Sequence, residues 1–267
     1  IWILFMKRLN TFCFLIITAS LIGCGGGGGS KATQDESAEG IWTGFSINSQ
    51  GESSNVVSVF YAGKYVTLNT ADKKLNSGSY TVTVDSINSQ NSKSYLWDGL
   101  NTGNGSMDGT VYSKSTIQSR YTESGEADTA SLQENSEIVV YETSLSDKKL
   151  NKNMLKGSWK TSDSDNKLLY AFAINGSNFS AEASDGCLVK GEINIPRGNL
   201  NIFELTLEVS GSVCAFNGDY SGLGFLGAKF ITKDDGSKEE IDVLTFAYSN
   251  NDYGFVFEAV EFGPLIN

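Results

Sequence analysis

The chain has 267 residues, with 31 acidic against 20 basic side chains, a formal net charge of −11 and no histidine. This acidic balance argues against nucleic acid as a partner, because affinity for nucleic acid comes from Lys and Arg side chains that neutralise phosphates. The lack of histidine excludes Ser-His-Asp and Cys-His catalysis and the common catalytic zinc sites. We therefore expect a protein that is not an enzyme and that uses no cofactor and no metal.

The first residues have the pattern of an export signal. Met6-Lys7-Arg8 supplies a positive segment, and residues 12–22 form an apolar run that is shorter than the ~20 residues of a membrane-spanning helix. The run ends in Leu21-Ile22-Gly23-Cys24, where a small residue precedes a cysteine, and five glycines follow directly. This motif predicts that residues 1–23 are removed and that Cys24 carries lipid.

The cysteine motif resembles that of known bacterial lipoproteins, which implies a diacylglycerol on the Cys24 sulfur and an acyl chain on its freed amine. Two acyl chains already hold a protein stably on a membrane. In enterobacterial lipoproteins an Asp after the cysteine favours the inner membrane. Gly25 stands there in this chain, so the resemblance implies anchoring in the outer membrane. Residues 24–39 then form a flexible Gly-rich tether of ~20–23 Å r.m.s. span. Which side of the membrane the protein faces stays open.

From Gly40 onwards the sequence is typical of an all-β protein. Apolar and polar residues alternate with period 2 in several runs, most clearly over residues 203–209. The 29 glycines and only two prolines fit short strands joined by tight turns. Gly-x-Trp occurs at Gly40-Ile41-Trp42 and at Gly157-Ser158-Trp159, and an apolar run follows each motif. This weak repeat predicts two related β units.

We place the first β unit at 40–145 and the second at 155–263, with a loop around 145–154 between them. The predicted architecture is an antiparallel meander with little helix. It forms either one β-barrel or two small tandem barrel-like units, and the sequence does not choose between these alternatives.

Two of the four cysteines are candidates for a disulfide. Cys13 leaves with the export signal and Cys24 is lipidated, so Cys187 and Cys214 remain in an oxidising compartment. We predict that they are bonded to each other. The alternative, a redox or metal-binding pair, lacks both a Cys-x-x-Cys spacing and any histidine.

The order of these motifs resembles a group of proteobacterial lipoproteins that has no assigned activity. In that group, poly-glycine after the lipidated cysteine precedes a first Gly-x-Trp unit and a second, cysteine-containing unit. The matching residues of the second unit are Asp185-Gly186-Cys187, Cys214, the Gly-x-Tyr-x-Gly run at 218–222 and residues 254–257. The opening Gly-x-Trp at 40–42 is also similar to the first strand of lipocalin-like barrels, where the Trp closes one end.

Residues 222–227 match the dinucleotide motif G-x-G-x-x-G. A dinucleotide site needs a helix after this motif, so that the helix N-terminus meets the pyrophosphate. Residues 228–231 predict a strand instead. We therefore interpret the motif as a strand of small residues against which other groups pack closely.

Paired carboxylates are the remaining route to catalysis without histidine. Glu204 with Glu208, and Glu258 with Glu261, could cleave glycosides if their carboxyl groups converge. Solvated outer faces of strands explain these four residues better. Among the aromatic residues, Tyr95 and Trp97 form a possible platform for a carbohydrate or apolar ligand, whereas barrel core is the plainer interpretation.

Taken together, these patterns predict an outer-membrane-anchored lipoprotein that acts as a non-enzymatic binding or structural module of the cell envelope. Its expected partners are the membrane, through the N-terminal lipid, and a protein or glycan of the envelope. One alternative is a lipocalin-like carrier of a small apolar ligand, which requires an apolar cavity. Another is a histidine-independent glycan hydrolase, which requires two convergent carboxyl groups in a cleft.

Overall fold

The computed structural model describes residues 38–113, 115–125, 133–161, 171–182, 186–233 and 235–263. The export signal, Cys24 and residues 24–37 of the predicted tether lie outside the described residues, as does Asp185. Within the described residues the chain is nearly all β, with seventeen strands and two four-residue helices. This confirms the predicted all-β fold class with little helix.

The first half of the fold contains nine strands. Their bounds are β1 (Gly40–Ile47), β2 (Ser53–Tyr61), β3 (Lys64–Asn69), β4 (Lys74–Ser79), β5 (Thr81–Thr83), β6 (Ser86–Leu96), β7 (Asp98–Tyr112), β8 (Thr116–Gly125) and β9 (Gln133–Tyr141). Two short helices follow, α1 (Thr143–Ser146) and α2 (Lys152–Leu155). The second half contains eight strands. Their bounds are β10 (Gly157–Thr161), β11 (Ala171–Asn175), β12 (Asn178–Glu182), β13 (Leu188–Asn194), β14 (Phe203–Ser210), β15 (Gly218–Thr232), β16 (Lys238–Ser249) and β17 (Tyr253–Gly263).

Antiparallel pairing closes these strands into two rings. Strands that follow each other along the chain pair, and β4 and β5 both lie against β6. β9 pairs back onto β1, with Val140 opposite Thr43. β17 pairs back onto β10, with Val260 opposite Lys160. We call β1–β9 the first barrel and β10–β17 the second barrel. The pairing pattern therefore matches the tandem alternative, and a short pairing of β7 with β17 links the two.

The folded part begins earlier than the sequence predicts. Ala38 and Glu39 were expected as the end of the tether, but Ala38 is fully buried. The Glu39 carboxylate forms an ion pair with Arg197, with an oxygen–nitrogen distance of 2.7 Å. Burial of Ala38 and the ion pair of Glu39 therefore make the last two residues of the predicted tether part of the packed structure.

Both Gly-x-Trp motifs stand in the first strand of a barrel. The fully buried Trp42 donates a hydrogen bond from its indole Nε1 to the carbonyl oxygen of Ala38 at 2.8 Å. Trp159 donates in the same way to the carbonyl oxygen of Leu155 at 2.9 Å. In each case the acceptor lies four residues before the Trp. The repeated motif thus forms the same arrangement in both barrels. The Trp ring fills one end of the barrel, and the chain just before the first strand accepts the hydrogen bond of the indole N–H.

Aromatic side chains fill the interior of the second barrel. Phe172 stacks on Phe179 with ring centroids 4.9 Å apart, and Phe246 stacks on Phe257 at 5.2 Å. Tyr248 also stacks on Phe257, at 5.3 Å. Each such ring removes a large apolar surface from water, and favourable ring geometry adds about 0.5–1.5 kcal/mol per pair. The second barrel is therefore a packed core rather than a container.

The sequence pattern of the second barrel predicts this packing well. The inward residues of β14 are buried and the alternating ones are more exposed, which confirms the period-2 prediction for residues 203–209. A Cβ atom added to Gly224 would lie 2.3 Å from Cζ of Phe203 and 2.5 Å from Cβ of Phe246. The glycine run therefore serves close packing, and residues 228–231 continue the strand β15, as predicted.

A disulfide closes the open end of one strand pair in the second barrel. The Cys187 and Cys214 sulfur atoms lie 1.99 Å apart, which confirms the predicted pairing. Leu188 pairs with Ser210 at the end of β13 and β14 that lies away from their connecting loop. The bond joins the chain just outside this end, so it prevents the two strands from fraying.

A third apolar core lies between the barrels. The outer faces of both barrels and the β13–β14 loop contribute buried residues to this core. They are Ile41, Val59, Tyr61, Val66, Leu68, Leu75, Tyr95, Ile202, Leu223, Phe225, Ala247 and Val256. The fully buried Asn201 ties the connection between the barrels to this core. Its Nδ2 donates to the carbonyl oxygens of Leu145 (2.9 Å) and Leu226 (2.7 Å), and its Oδ1 accepts from the Leu226 amide. Both barrels therefore belong to one compact unit.

Candidate functional site

The predicted aromatic platform lies in the contact between the two barrels. The Tyr95 side chain is buried, its ring packs against Gly254, and its hydroxyl donates to the carbonyl oxygen of Asn250 at 2.6 Å. Trp97 is half-buried and donates from Nε1 to the carbonyl oxygen of Lys74 at 3.1 Å. Tyr95 offers no stacking face because the second barrel covers it, so the platform hypothesis retains only the exposed part of Trp97.

A cleft of 520 Å³ runs along the seam between the barrels. Its polar groups bond largely to each other across the seam. The Lys93 ammonium donates to the carbonyl oxygen of Asn251 at 2.7 Å, and the hydroxyls of Ser77 and Ser249 are 2.8 Å apart. These bonds join the barrels. The cleft is therefore part of the contact between the two barrels.

The four predicted acidic residues lie on outer strand faces. Glu204 forms an exposed ion pair with Lys64 at 3.4 Å, and Glu208, Glu258 and Glu261 are exposed. The structure does not bring them together in a cleft. They match the plainer interpretation given above, that of solvated surface residues.

A different cavity opens at one end of the first barrel. We call this cavity of 310 Å³ the mouth pocket. Its lining is polar throughout and consists of Ser46, Asn48, Ser49, Gln50, Asn69, Asp72, Lys74, Asn76, Glu123, Asn135 and Glu137. None of these residues was predicted from the sequence as a site residue. The mouth pocket is the candidate functional site.

Strand periodicity explains why the pocket is polar. Along β9 the inward residues change from Val139 to Glu137 and then Asn135 towards this end of the barrel. Along β1 they change from Trp42 through a glycine to Ser46. Side chains on one face of a strand recur every two residues, and on β1 and β9 the inward residues are apolar at one end of the barrel and polar at the other. The barrel is consequently plugged at the Trp42 end and open at the other.

Two asparagines fix the loops at the rim. Oδ1 of Asn48 accepts the backbone amides of Gln50 at 3.0 Å and Glu52 at 2.9 Å. Oδ1 of Asn69 accepts the backbone amide of Asp72 at 3.0 Å, and its Nδ2 donates to the Asp72 carboxylate at 2.8 Å. Asparagine side chains commonly hold turns in this way. The rim is thus set before any ligand arrives.

One wall of the pocket is an ion pair. The Lys74 ammonium lies 3.3 Å from Oε2 of the buried Glu123, and the Thr102 hydroxyl donates to Oε1 at 3.0 Å. Both oxygens of this carboxylate therefore have partners. The positive charge of Lys74 is also engaged, so the wall presents no unpaired charge of either sign.

The floor of the pocket is different, because its polar groups are unpaired. Glu137 is only 6% exposed and Ser46 only 5%. Among the residues that the structure describes, neither side chain makes a hydrogen bond, yet both line the cavity. Burial alone raises the pKa of the Glu137 carboxyl from 4.5 to about 7. At neutral pH this group therefore changes readily between its neutral and charged forms.

Below the floor, a chain of hydroxyls crosses the barrel. The Ser94 hydroxyl donates to Oδ1 of Asn76 at 2.7 Å, so the Tyr121 hydroxyl, 2.9 Å away, donates to Ser94. The Tyr65 hydroxyl contacts Ser92 in the same layer. Burial raises the pKa of both tyrosine hydroxyls well above the usual value, so both remain neutral. Both tyrosines therefore stand near Glu137 as neutral groups.

The sequence matches no protein-family model and no curated protein. Over the described part of the chain, no set of three His, Cys, Asp or Glu side chains is arranged to hold a metal ion. The same part contains no helix with the length and apolar character needed to cross a membrane. The geometry of the mouth pocket is therefore the main guide to function.

Proposed function

We propose that this chain is a lipid-anchored protein of the bacterial outer membrane that acts as a non-enzymatic binding module of the cell envelope. Its first barrel binds a small polar group of an envelope component in the mouth pocket. The single observation that carries this proposal is the floor of that pocket, where buried Glu137 and Ser46 face the cavity without a protein partner.

Energetics favour a ligand at this position. The polar atoms of both side chains border the open cavity, and no described residue bonds to them. A hydrogen bond to a charged group contributes about 1.5–3 kcal/mol. A protein that needed only stability would place apolar residues at positions 46 and 137, as it does at the other end of the same strands. A ligand that donates hydrogen bonds to both side chains gains part of this free energy on binding. The fixed rim further reduces the cost of ordering the site.

Polarity and packing separate this proposal from the carrier alternative. An apolar ligand needs an apolar cavity of several hundred Å³. The interior of the second barrel is occupied by stacked aromatic rings, and the mouth pocket is lined by amide, hydroxyl and carboxyl groups. These surroundings favour a ligand that forms hydrogen bonds over a lipid-like one.

Binding can be tested by exposing the isotope-labelled protein to small-molecule fractions of a bacterial envelope and recording backbone amide spectra. We expect shifts of the amides of residues 135–139 and of Ser46. The variants Ser46→Ala and Glu137→Gln should weaken these shifts, whereas Glu208→Gln, the same change on an exposed strand face, should not. If no fraction moves the pocket resonances, or if both pocket variants respond like the wild type, the binding proposal is wrong.

The anchor is tested separately by membrane fractionation of cells that express the full chain. We expect the wild-type protein in the outer-membrane fraction, with the mass of a lipidated Cys24. The variant Cys24→Ala should lose the lipid and leave this fraction. A wild-type chain that carries no lipid would contradict the proposed anchor and leave the proposal for the pocket intact.

Glycan hydrolysis is a second candidate function, favoured by two carboxyl groups in one pocket with different surroundings. Glu123 is held by Lys74 and Thr102, whereas burial raises the pKa of Glu137 to about 7. Carboxyl groups with such contrasting environments are what glycosidases use as acid and base. Release of reducing ends from envelope glycans by the wild type, and its loss in Glu137→Gln, would support this candidate. If no reducing ends are released over days of incubation, the hydrolase candidate is wrong and binding is the one proposed function that remains.

A further inference from the structure

The charges around the mouth pocket restrict the kind of ligand it can take. Three carboxylates line it, those of Asp72, Glu123 and Glu137, against the single ammonium of Lys74. Lys74 is already paired with Glu123. An anionic ligand such as a phosphate or carboxylate would therefore meet uncompensated negative charge. The pocket suits a cationic ligand.

The unpaired groups of the floor also match a hydrogen-bond donor. A carboxylate only accepts hydrogen bonds, and the Ser46 hydroxyl has two acceptor lone pairs. A primary ammonium group has three donors and no acceptor, which makes it complementary to this set. A metal ion fits less well, because the described residues contain no three-ligand cluster. The volume of 310 Å³ equals about ten water molecules, which is room for a single sugar ring or an extended alkylamine.

We propose that the mouth pocket binds a primary ammonium group, which donates hydrogen bonds to the Glu137 carboxylate and the Ser46 hydroxyl. This inference rests on the proposed binding function and names its ligand chemistry. The ammonium group can belong to an alkylamine, including a lysine side chain, or to an amino sugar. The experiment below distinguishes these sources.

Binding of this kind depends on pH with a definite sign. The cation needs the charged form of Glu137, whose pKa burial raises to about 7. The other ionisable groups near it are neutral Tyr65 and Tyr121 and, around the pocket, Asp72 and the paired Lys74 and Glu123. Affinity should therefore be high above pH 7 and fall as the pH drops through that value. By linkage, the bound cation should lower the pKa of Glu137.

Calorimetry with the purified full chain tests the inference. The alkylamine probes are 1,5-diaminopentane and Nα-acetyl-lysine amide, whose amines stay protonated in this range because an unperturbed lysine has a pKa of ~10.4. We expect about 30-fold tighter binding at pH 8.5 than at pH 5.5, which is the ratio of charged Glu137 at the two values for a pKa of about 7. Glucosamine at pH 7 tests the amino-sugar source. N-acetylglucosamine and Nε-acetylated lysine amide are the neutral controls.

Variants make the outcome decisive. Glu137→Gln should bind the alkylamines at least about tenfold more weakly and without pH dependence, Ser46→Ala should weaken binding less, and Glu208→Gln should match the wild type. Equal binding of neutral and cationic probes, flat with pH, would overturn the ammonium assignment but preserve the binding function of the pocket. If no amine binds while an envelope fraction still shifts the pocket resonances, the ammonium assignment alone is wrong. If neither binds, both proposals fail.

Discussion

The two barrels of this protein start from the same sequence motif and end with different interiors. Each opens with Gly-x-Trp, and each Trp donates its indole N–H to a carbonyl four residues earlier. The second barrel is then filled by stacked aromatic rings, whereas the first carries hydroxyls, amides and two buried glutamates. The comparison teaches that the repeat specifies a scaffold. The inward residues of β1, β8 and β9 decide whether the scaffold is solid or holds a pocket.

Loss of an aromatic ring from the second barrel should have the largest effect. Phe246 contacts Phe172, Phe179, Phe203 and Phe257, so Phe246→Ala should lower the free energy of unfolding by about 3–5 kcal/mol. Urea denaturation measures this loss. A cost below about 1 kcal/mol would mean that the second barrel is loosely packed, and the contrast between the barrels would disappear.

Removal of the disulfide should come next and should act on the second barrel alone. The bond joins residues 27 apart in sequence, and closure of a loop of this size contributes about 3–4 kcal/mol in the chain-entropy account. The double variant Cys187→Ala with Cys214→Ala should lose that amount. Hydrogen exchange should rise most in β13 and β14. If the first barrel loses hydrogen-exchange protection to the same extent, the disulfide does not stabilise the second barrel alone.

The buried glutamate of the first barrel should make stability depend on pH. Its pKa rises from 4.5 to about 7 on folding, so the native state binds the proton more tightly than the unfolded chain. Stability from this group is therefore present below pH 4.5 and is lost as the pH rises through 7, by about 3 kcal/mol in total. Glu137→Gln should remove that decline in denaturation curves recorded from pH 4 to 8. Glu208→Gln should keep it, and an unchanged decline in Glu137→Gln would contradict the assignment.

The connection between the barrels should give the smallest of the four effects. Asn201→Ala leaves the buried carbonyl of Leu226 and its amide without their side-chain partner, which should cost about 2–3 kcal/mol. Thermal unfolding measures the loss, and Asn217→Ala, a change in an exposed loop asparagine, is the control. If the unfolding transition also splits in two, the barrels are separable folding units. If Asn201→Ala destabilises the protein no more than Asn217→Ala does, then Asn201 does not contribute to joining the barrels.

The sequence predicts much of the scaffold because its signals are local. The alternation in β14 and the repeated Gly-x-Trp are readable from a few adjacent residues. The predicted loss of Cys13 and the predicted lipidation of Cys24 leave only two cysteines to pair. These predictions concern the position of a residue within one strand, or the pairing of the two remaining cysteines. They identify the class of fold but not its two interiors.

The site could not be predicted, because both faces of β9 mix polar and apolar residues. Glu137 points inward and is 6% exposed, whereas Val140 points outward and is 53% exposed. This reverses the usual expectation for the two residue types. Which face of β9 points into the barrel is decided only when β9 pairs with β1, a strand about ninety residues earlier in the chain. Tyr95 fails as a platform for the same reason, since the distant second barrel covers it.

The most direct test is the pKa of Glu137 itself, measured in the free protein by carbon-13 NMR titration of its side-chain carboxyl group. A buried carboxyl group that has no protein partner should have a pKa of about 7, and binding of 1,5-diaminopentane should lower this pKa. An ordinary pKa of 4.5 that the amine does not move would contradict the account, because Glu137 would then not be the buried, unpartnered carboxyl group on which the proposed site depends.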